Sequence, residues 1–347
     1  MVIGVAGTAK NTGKTTTLDA LIGEAYRRGR LPGVTGIGYD GEDRDTITLL
    51  PKPRIAVRPG MIVTTSKACV QASTAALRVL RTTGHRTPLG DVVICRAEEE
   101  GRAVVAGPNK TADLASVIRQ LQSLGVADLL VDGSLNRIAP MVCADRIVFA
   151  TGGSRSTDLS TLTTEASAIE TIFSYPIAPD DLRAHTRRGL GAQDVWVHMP
   201  AGAVHGAPEI ARLFDRVHAG LREVVLPGLI TAAGLSVVCE RLEVIGGEGV
   251  WIMFDDPFKL LLAGEPARVG ELLGRLQKSG ARVSYGRPSR LSAFTFNPYY
   301  PAFDGTSYRA ASVDPVAGRA ALAAALHTPV VDVKAEGVSS IFDACFN

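Results

Sequence analysis

The tightest constraint on this chain lies in its first 27 residues. Val2 to Ala6 is a short apolar run of the kind that forms a buried strand. Gly7-Thr8-Ala9-Lys10-Asn11-Thr12-Gly13-Lys14-Thr15-Thr16 follows, and then Leu18, Leu21, Ile22, Ala25 and Tyr26 recur on one face at helical spacing. Strand, glycine-rich turn and amphipathic helix in that order are the setting of a phosphate-binding loop. Glycines let backbone N–H groups approach an anion, and the positive end of the helix dipole favours it. In such a loop Lys14 reaches the β- and γ-phosphates of a nucleotide, and the Thr15 hydroxyl is a hard oxygen ligand for Mg²⁺. Thr8, Asn11, Thr12, Gly13 and Thr16 complete the expected nucleotide contacts. The chain has no Asn-Lys-x-Asp guanine motif, which favours ATP. One position departs from the usual spacing: Thr8 stands five residues before Gly13, where the standard pattern has glycine.

The remaining segments alternate in the same way. Strands are predicted at Val34 to Ile37, Val92 to Cys95, Ala103 to Ala106, Leu129 to Val131 and Arg146 to Ala150. Helices are predicted around Lys67 to Arg81, at Leu114 to Leu121 with Thr111 as N-cap, and around Leu159 to Ile172. The pattern continues with a strand at Val195 to Met199 and a helix at Ile210 to Val217. Val225, Leu226 and Pro227 open a second series, with strands near Val250 to Phe254, Ala281 to Tyr285, Leu291 to Phe296 and Val330 to Val333 and helices near Thr231 to Leu242, Val269 to Leu276 and Val316 to Leu326. This alternation predicts an α/β fold with a mostly parallel, doubly wound sheet of the P-loop NTPase type, and a second α/β unit or a sheet extension. The expected division is a nucleotide-binding domain over 1–220 and a second α/β domain over 221–347 for partner or client recognition.

A phosphate loop calls for a carboxylate at the end of another strand, close to the metal. Asp132 in Leu-Leu-Val-Asp-Gly has that setting, although Asp-Gly is also a common turn pair. After the second strand, Asp40, Glu42 and Asp43 could hold a water, orient a nucleophile or solvate a loop, with Asp40 nearest the strand end. Lys10 either adds a second positive charge to the phosphates or points to solvent. Asn136, Arg137 and Arg155 follow strand ends and could face the same cleft. Lys14, Asp132 and Asp40 are thus the expected catalytic residues, with Thr15 and Asp132 on the metal.

Other features exclude more than they suggest. Net charge is +2, no Lys/Arg block stands out and aromatics are 5%, so nucleic-acid binding is not expected. No apolar run reaches the roughly 20 residues of a membrane helix. The five cysteines are scattered, without a CxxC pair, which fits a reducing, cytoplasmic setting. His185, His198, His205 and His218 lack metal-binding spacing. Phe296-Asn297-Pro298-Tyr299-Tyr300-Pro301 concentrates aromatics in an aromatic-poor chain and reads as a Pro-locked loop on the sheet or a partner surface.

Gly7-Thr8 followed by Gly13-Lys14-Thr15 resembles the loop of the dethiobiotin synthetase-like P-loop proteins, in which Thr8 is a family trait. Asp132-Gly133 matches their second motif, and the similarity covers roughly the first 150 residues. The family's substrate-binding lysine after the second strand has no counterpart in Gly36-Ile37-Gly38-Tyr39-Asp40. The runs Gly33 to Glu42, Val131 to Arg137 and Asn297-Pro298 resemble the P-loop subunit of lysine 5,6-aminomutase reactivases. That resemblance implies an ATP-dependent factor that restores a cobalamin enzyme and acts with a partner ATPase subunit. A protein client, a second subunit or a homodimer are accordingly the expected partners. The other readings are a small-molecule ligase of the dethiobiotin synthetase type and a nucleotide-binding scaffold without turnover.

Overall fold

The computed structural model describes residues 1–38, 54–133, 138–184, 191–193, 196–200, 202–215 and 221–346. Two compact units account for the chain: Met1–Thr163 together with Leu291–Asn347, and Thr164–Arg290.

The first unit opens with β1 (Val2–Gly7), α1 (Lys14–Arg27), β2 (Gly33–Gly36), β3 (Ile55–Val57), β4 (Ile62–Ser66), α2 (Lys67–Ala72), β5 (Leu77–Thr87), β6 (Gly90–Ala97) and β7 (Gly101–Ala103). It continues with α3 (Thr111–Ser123), β8 (Leu129–Asp132), β9 (Arg146–Gly152) and the start of α4 (Leu159–Phe173). The second unit holds α5 (Asp180–Ala184), β10 (Gly191–Gln193), β11 (Trp196–His198), β12 (Val204–His205), α6 (Ala207–Phe214), β13 (Glu223–Leu226), β14 (Leu229–Ile230), α7 (Ala232–Ile245), β15 (Trp251–Phe254), α8 (Pro257–Leu261), α9 (Pro266–Lys278) and β16 (Arg282–Tyr285). The chain then returns to the first unit with β17 (Arg290–Asn297), β18 (Tyr299–Phe303), β19 (Tyr308–Ser312), α10 (Pro315–Ala325), β20 (Val330–Val331), α11 (Val333–Glu336) and α12 (Ser339–Phe346).

Nine strands form one sheet in the order β20-β17-β9-β1-β8-β2-β4-β6-β5. The pairs β1–β8, β1–β9, β2–β8, β2–β4 and β17–β20 are parallel, and β6 is antiparallel to both β4 and β5. All six residues of β1 are buried. A strand whose successive side chains point to opposite faces can be buried throughout only if both faces are covered, which is why its sequence is a continuous apolar run. One core joins Ile3 and Val5 of β1, Leu18, Leu21 and Ile22 of α1, Leu130, Val148 and Val331 of neighbouring strands, and Ile341 and Phe342 of α12. Each such buried side chain contributes about 1.5–3 kcal/mol relative to exposure. The helix that carries the glycine loop is therefore anchored along its length.

In the second unit β10-β11-β13-β15-β16 form a five-stranded sheet, parallel from β11 to β16, with β12–β14 as a short separate pair. Val197, Val224, Ile252 and Met253 fill its interior, and Phe173 meets Phe258 edge-on at 5.3 Å. Among the described residues no helix is long and apolar enough to cross a membrane.

Several sequence expectations need correction. The helix read over Lys67 to Arg81 stops at Ala72: the Ser73 hydroxyl donates back to the Cys69 carbonyl at 3.0 Å, and the Thr74 hydroxyl accepts the Arg102 N–H at 2.9 Å. Short polar side chains that bind the backbone end helices, and the β-branched residues that follow go into β5, paired with β6. Thr111 begins α3, but the N-cap is Lys110. The strand read at Ala103 to Ala106 ends at Ala103. The boundary read near residue 220 falls inside the second unit, because β17 and β20 join the first sheet. Apolar alternation marks a strand without saying which sheet it enters.

Candidate functional site

β1 lies in the middle of the nine-stranded sheet, with β8 and then β2 on one side and β9 and β17 on the other. The strand order thus reverses at β1, and open α/β sheets bind ligands outside the carboxyl ends of strands at such a point. The glycine loop leaves the sheet there. The Thr8 N–H donates to the Ala150 carbonyl at 2.9 Å, and its hydroxyl meets that of Thr151 at 3.0 Å. The Thr12 hydroxyl closes the loop on the Ala9 carbonyl at 3.0 Å. Gly13 is the N-cap of α1 at φ 94°, a left-handed conformation that glycine adopts without steric cost. Its carbonyl accepts the Thr17 N–H, the first turn of the helix, at 2.9 Å.

Lys14 begins α1, and its stem folds back over Gly7: a Cβ on Gly7 would sit 2.8 Å from Lys14 Cγ and 2.6 Å from Thr12 Oγ1. Burial pushes the Lys14 pKa below its ordinary value, the Asp132 carboxylate opposes that shift, and the nearby charge of Lys10 adds to it. Lys10 is exposed, Thr15 half-buried and Thr16 exposed on the first turns of loop and helix.

Asp132 closes β8 in register with Val5 of β1 and Gly36 of β2. Its backbone is fixed on both sides: Ile37 N–H donates to its carbonyl at 2.9 Å, and Gly133 N–H donates to Val5 at 2.9 Å. Its side-chain Oδ1 is sealed from solvent and has no hydrogen-bond partner among the described residues. Burial raises the Asp132 pKa to about 6, the Lys14 charge pulls it back, and Asp19 adds to the rise. A buried oxygen without a partner is costly, and a cation or a bound water would remove that cost. Among the described residues no three His, Cys, Asp or Glu side chains cluster to hold a metal ion. Mg²⁺ does not need such a cage, since one carboxylate, one hydroxyl, phosphate oxygens and waters complete its octahedron. Thr15 and Asp132 fit that donor set.

On the other side of the loop lies a cavity of about 410 Å³ within the first unit. Thr12, Gly13 and Thr16 form one wall, and Asn297, Pro298 and Tyr299 at the end of β17 form another. Asp332 and Lys334, just past β20, close it. Asp332 Oδ1 accepts the backbone N–H groups of Lys334 and Ala335 at 2.9 and 3.2 Å and so holds this turn. The Lys334 ammonium stands 5.3 Å from the Tyr299 ring centroid.

The structure therefore brings Thr8, Lys10, Asn11, Thr12, Gly13, Lys14, Thr15, Thr16 and Asp132 to one sheet edge. Arg155 lies in the turn after β9, its N–H donating to Gly152 at 2.8 Å. Asp40, Glu42, Asp43, Asn136 and Arg137 lie outside the described residues. The aromatic segment splits: Phe296 is buried, whereas Tyr299 is 49% and Phe303 59% exposed on the β18–β19 hairpin. Asn297 and Lys334 are not among the site residues that the sequence motifs point to. Asn297 bonds to Asn11 across 286 positions, a distance no local pattern bridges. The strand expected over Val330 to Val333 ends at Val331, where Asp332 caps α11, so Asp332 stands at a strand end that the sequence reading placed two residues later.

Compared with known proteins, the chain matches no family model, no curated protein and no solved structure. The functional reading rests on the site itself.

Proposed function

We propose that this chain is a Mg²⁺-dependent, ATP-binding and ATP-hydrolysing protein of the P-loop NTPase type. The observation that carries the reading is the buried Asp132 Oδ1, without a hydrogen-bond partner among the described residues, in the field of the Lys14 charge and at the foot of a glycine loop that opens a helix. In this reading the loop N–H groups and the Lys14 ammonium hold the β- and γ-phosphates, and Lys10 adds a second positive charge. Thr15 and Asp132 would hold Mg²⁺, which when bound would supply positive charge beside the phosphates. The cavity between α1 and the ends of β17 and β20 is of a size to take the nucleoside. Asp40, placed by sequence after β2, is the proposed orienter of the attacking group.

The resemblance to aminomutase reactivases extends the proposal to a factor whose ATP cycle acts on a cobalamin-dependent client, with a partner ATPase subunit or a second copy of the chain. Calorimetry with ATP and Mg²⁺ tests the site, and steady-state ATPase assays test the class. A chaperone-like ATPase turns over slowly alone and faster with its client. A ligase turns over only with a small carboxylate or amine, and a scaffold binds without turnover. Failure of the wild-type chain to bind ATP would refute the proposal.

A further inference from the structure

One of the bonds that hold the glycine loop comes from a residue 286 positions away. Asn297 ends β17, and its side-chain amide donates to the Asn11 carbonyl at 2.9 Å. Its Cβ packs on the loop, 3.2 Å from where a Cβ on Gly13 would sit. Asn297 is itself fixed. Its carbonyl accepts the Gly153 N–H at 3.0 Å, its Oδ1 accepts the Tyr299 N–H at 3.3 Å, and a Cβ on Gly152 would run into its backbone.

Asn11 has φ 60°, the one positive value among the described residues other than glycine. Asparagine tolerates this left-handed conformation better than other side-chain-bearing residues, and the bond from Asn297 to its carbonyl sets which way the following peptide faces. In a trans peptide the C=O and the following N–H point in opposite directions. With the Asn11 carbonyl drawn toward Asn297, the Thr12 N–H points away from Asn297. Successive N–H groups turned inward by an alternation of right- and left-handed residues make an anion-binding nest.

We infer that Asn297 is a positioning residue for anion binding: it orients the Asn11–Thr12 peptide so that Thr12 N–H is presented to a phosphate. The inference rests on the phosphate-loop reading above. It separates a role on the loop from contact with the nucleoside, whose proposed cavity Asn297 also lines.

The test is calorimetric titration of the full chain with ATP and with tripolyphosphate, which has no nucleoside, both with Mg²⁺. Asn297→Ala and Asn297→Leu are compared with wild type, the leucine keeping the bulk while removing the donor. Both variants are expected to bind ATP and tripolyphosphate about 5- to 10-fold more weakly, by equal factors for the two ligands. Their thermal midpoints without ligand should match wild type, so that a general loss of structure is excluded; if the alanine variant melts early, the leucine variant decides. Loss confined to ATP would place Asn297 on the nucleoside and overturn the inference, as would unchanged binding of both ligands. Wild type that binds neither ligand would instead refute the phosphate-loop reading.

Discussion

Asp132 of the first unit and the Asp255–Asp256 pair of the second each stand at the end of a parallel strand, and their charges are treated in opposite ways. In the first, β8 ends in Asp132, whose Oδ1 is buried without a partner among the described residues. In the second, β15 is followed by Asp255 and Asp256, and both carboxylates are engaged. Arg287 donates to Asp255 through Nη2 at 2.6 Å and Nε at 3.2 Å, and Lys259 bridges Asp255 to the Pro227 carbonyl. Asp256 caps α8 by accepting the Lys259 N–H at 3.0 Å. Burial pushes the Asp255 carboxyl up, but the bonds from Arg287 and Lys259 outweigh it and leave it below the ordinary range. Burial and the Asp255 charge raise Asp256 to about 6. An acid after a strand is thus no sign of a ligand site by itself. Asp255 and Asp256 serve their own fold; Asp132 is left available for something from outside.

The comparison can be broken most decisively at Lys14. Lys14→Ala should weaken ATP binding by about 100-fold or more, the scale for removing one partner of a buried charge pair, and calorimetry measures it. Next comes Asp132→Asn, which should lower ATP turnover by about 100-fold while sparing most ATP binding, since the metal loses its protein carboxylate. Equal turnover in that variant would remove Asp132 from the site. In the second unit the expectation is reversed. Asp255→Ala should cost about 1–3 kcal/mol of stability in a urea melt, because Lys259 and Arg287 lose their partner, yet leave ATP affinity unchanged.

A smaller effect comes from pH. Asp132 is protonated in the ligand-free fold below about 6, against 3.8 for the ordinary group. Mg²⁺ needs the ionised form, so Mg²⁺ affinity and turnover should fall about tenfold for each pH unit below that value, and the Asn variant should lose this dependence. For the ligand-free chain the sign is opposite. The fold binds a proton more tightly than the unfolded chain does, so the Asp132 contribution to stability declines as pH rises from about 4 to about 6. Smallest of all, Lys10→Ala should weaken ATP binding only about 2- to 5-fold, because Lys10 is exposed and its charge is screened.

Much of this was legible in the residues. Val2 to Ala6, the helical face from Leu18 to Tyr26 and the apolar run ending at Asp132 marked β1, α1 and β8 because buried strands and amphipathic helices leave periodic signatures. Where a polar side chain binds the backbone, as at Ser73 and Thr74, periodicity misled, and a predicted helix became a short helix and a strand. The division of the chain misled for another reason. Leu291 to Phe296 reads as one more apolar strand, and only pairing in three dimensions assigns it to the first sheet.

By itself the sequence determined the local chemistry: a glycine loop opening a helix, Lys14 and Thr15 at its start, and an acid at the end of a buried strand. These follow from spacing, since a turn or a helix end is fixed by residues a few positions apart. Only the tertiary structure decided what surrounds them. It left Asp132 Oδ1 without a partner among the described residues, satisfied Asp255 and Asp256, and set Asn297 on the loop. Desolvation and hydrogen-bond pairing depend on neighbours brought together from distant parts of the chain, and no local pattern encodes which ones arrive.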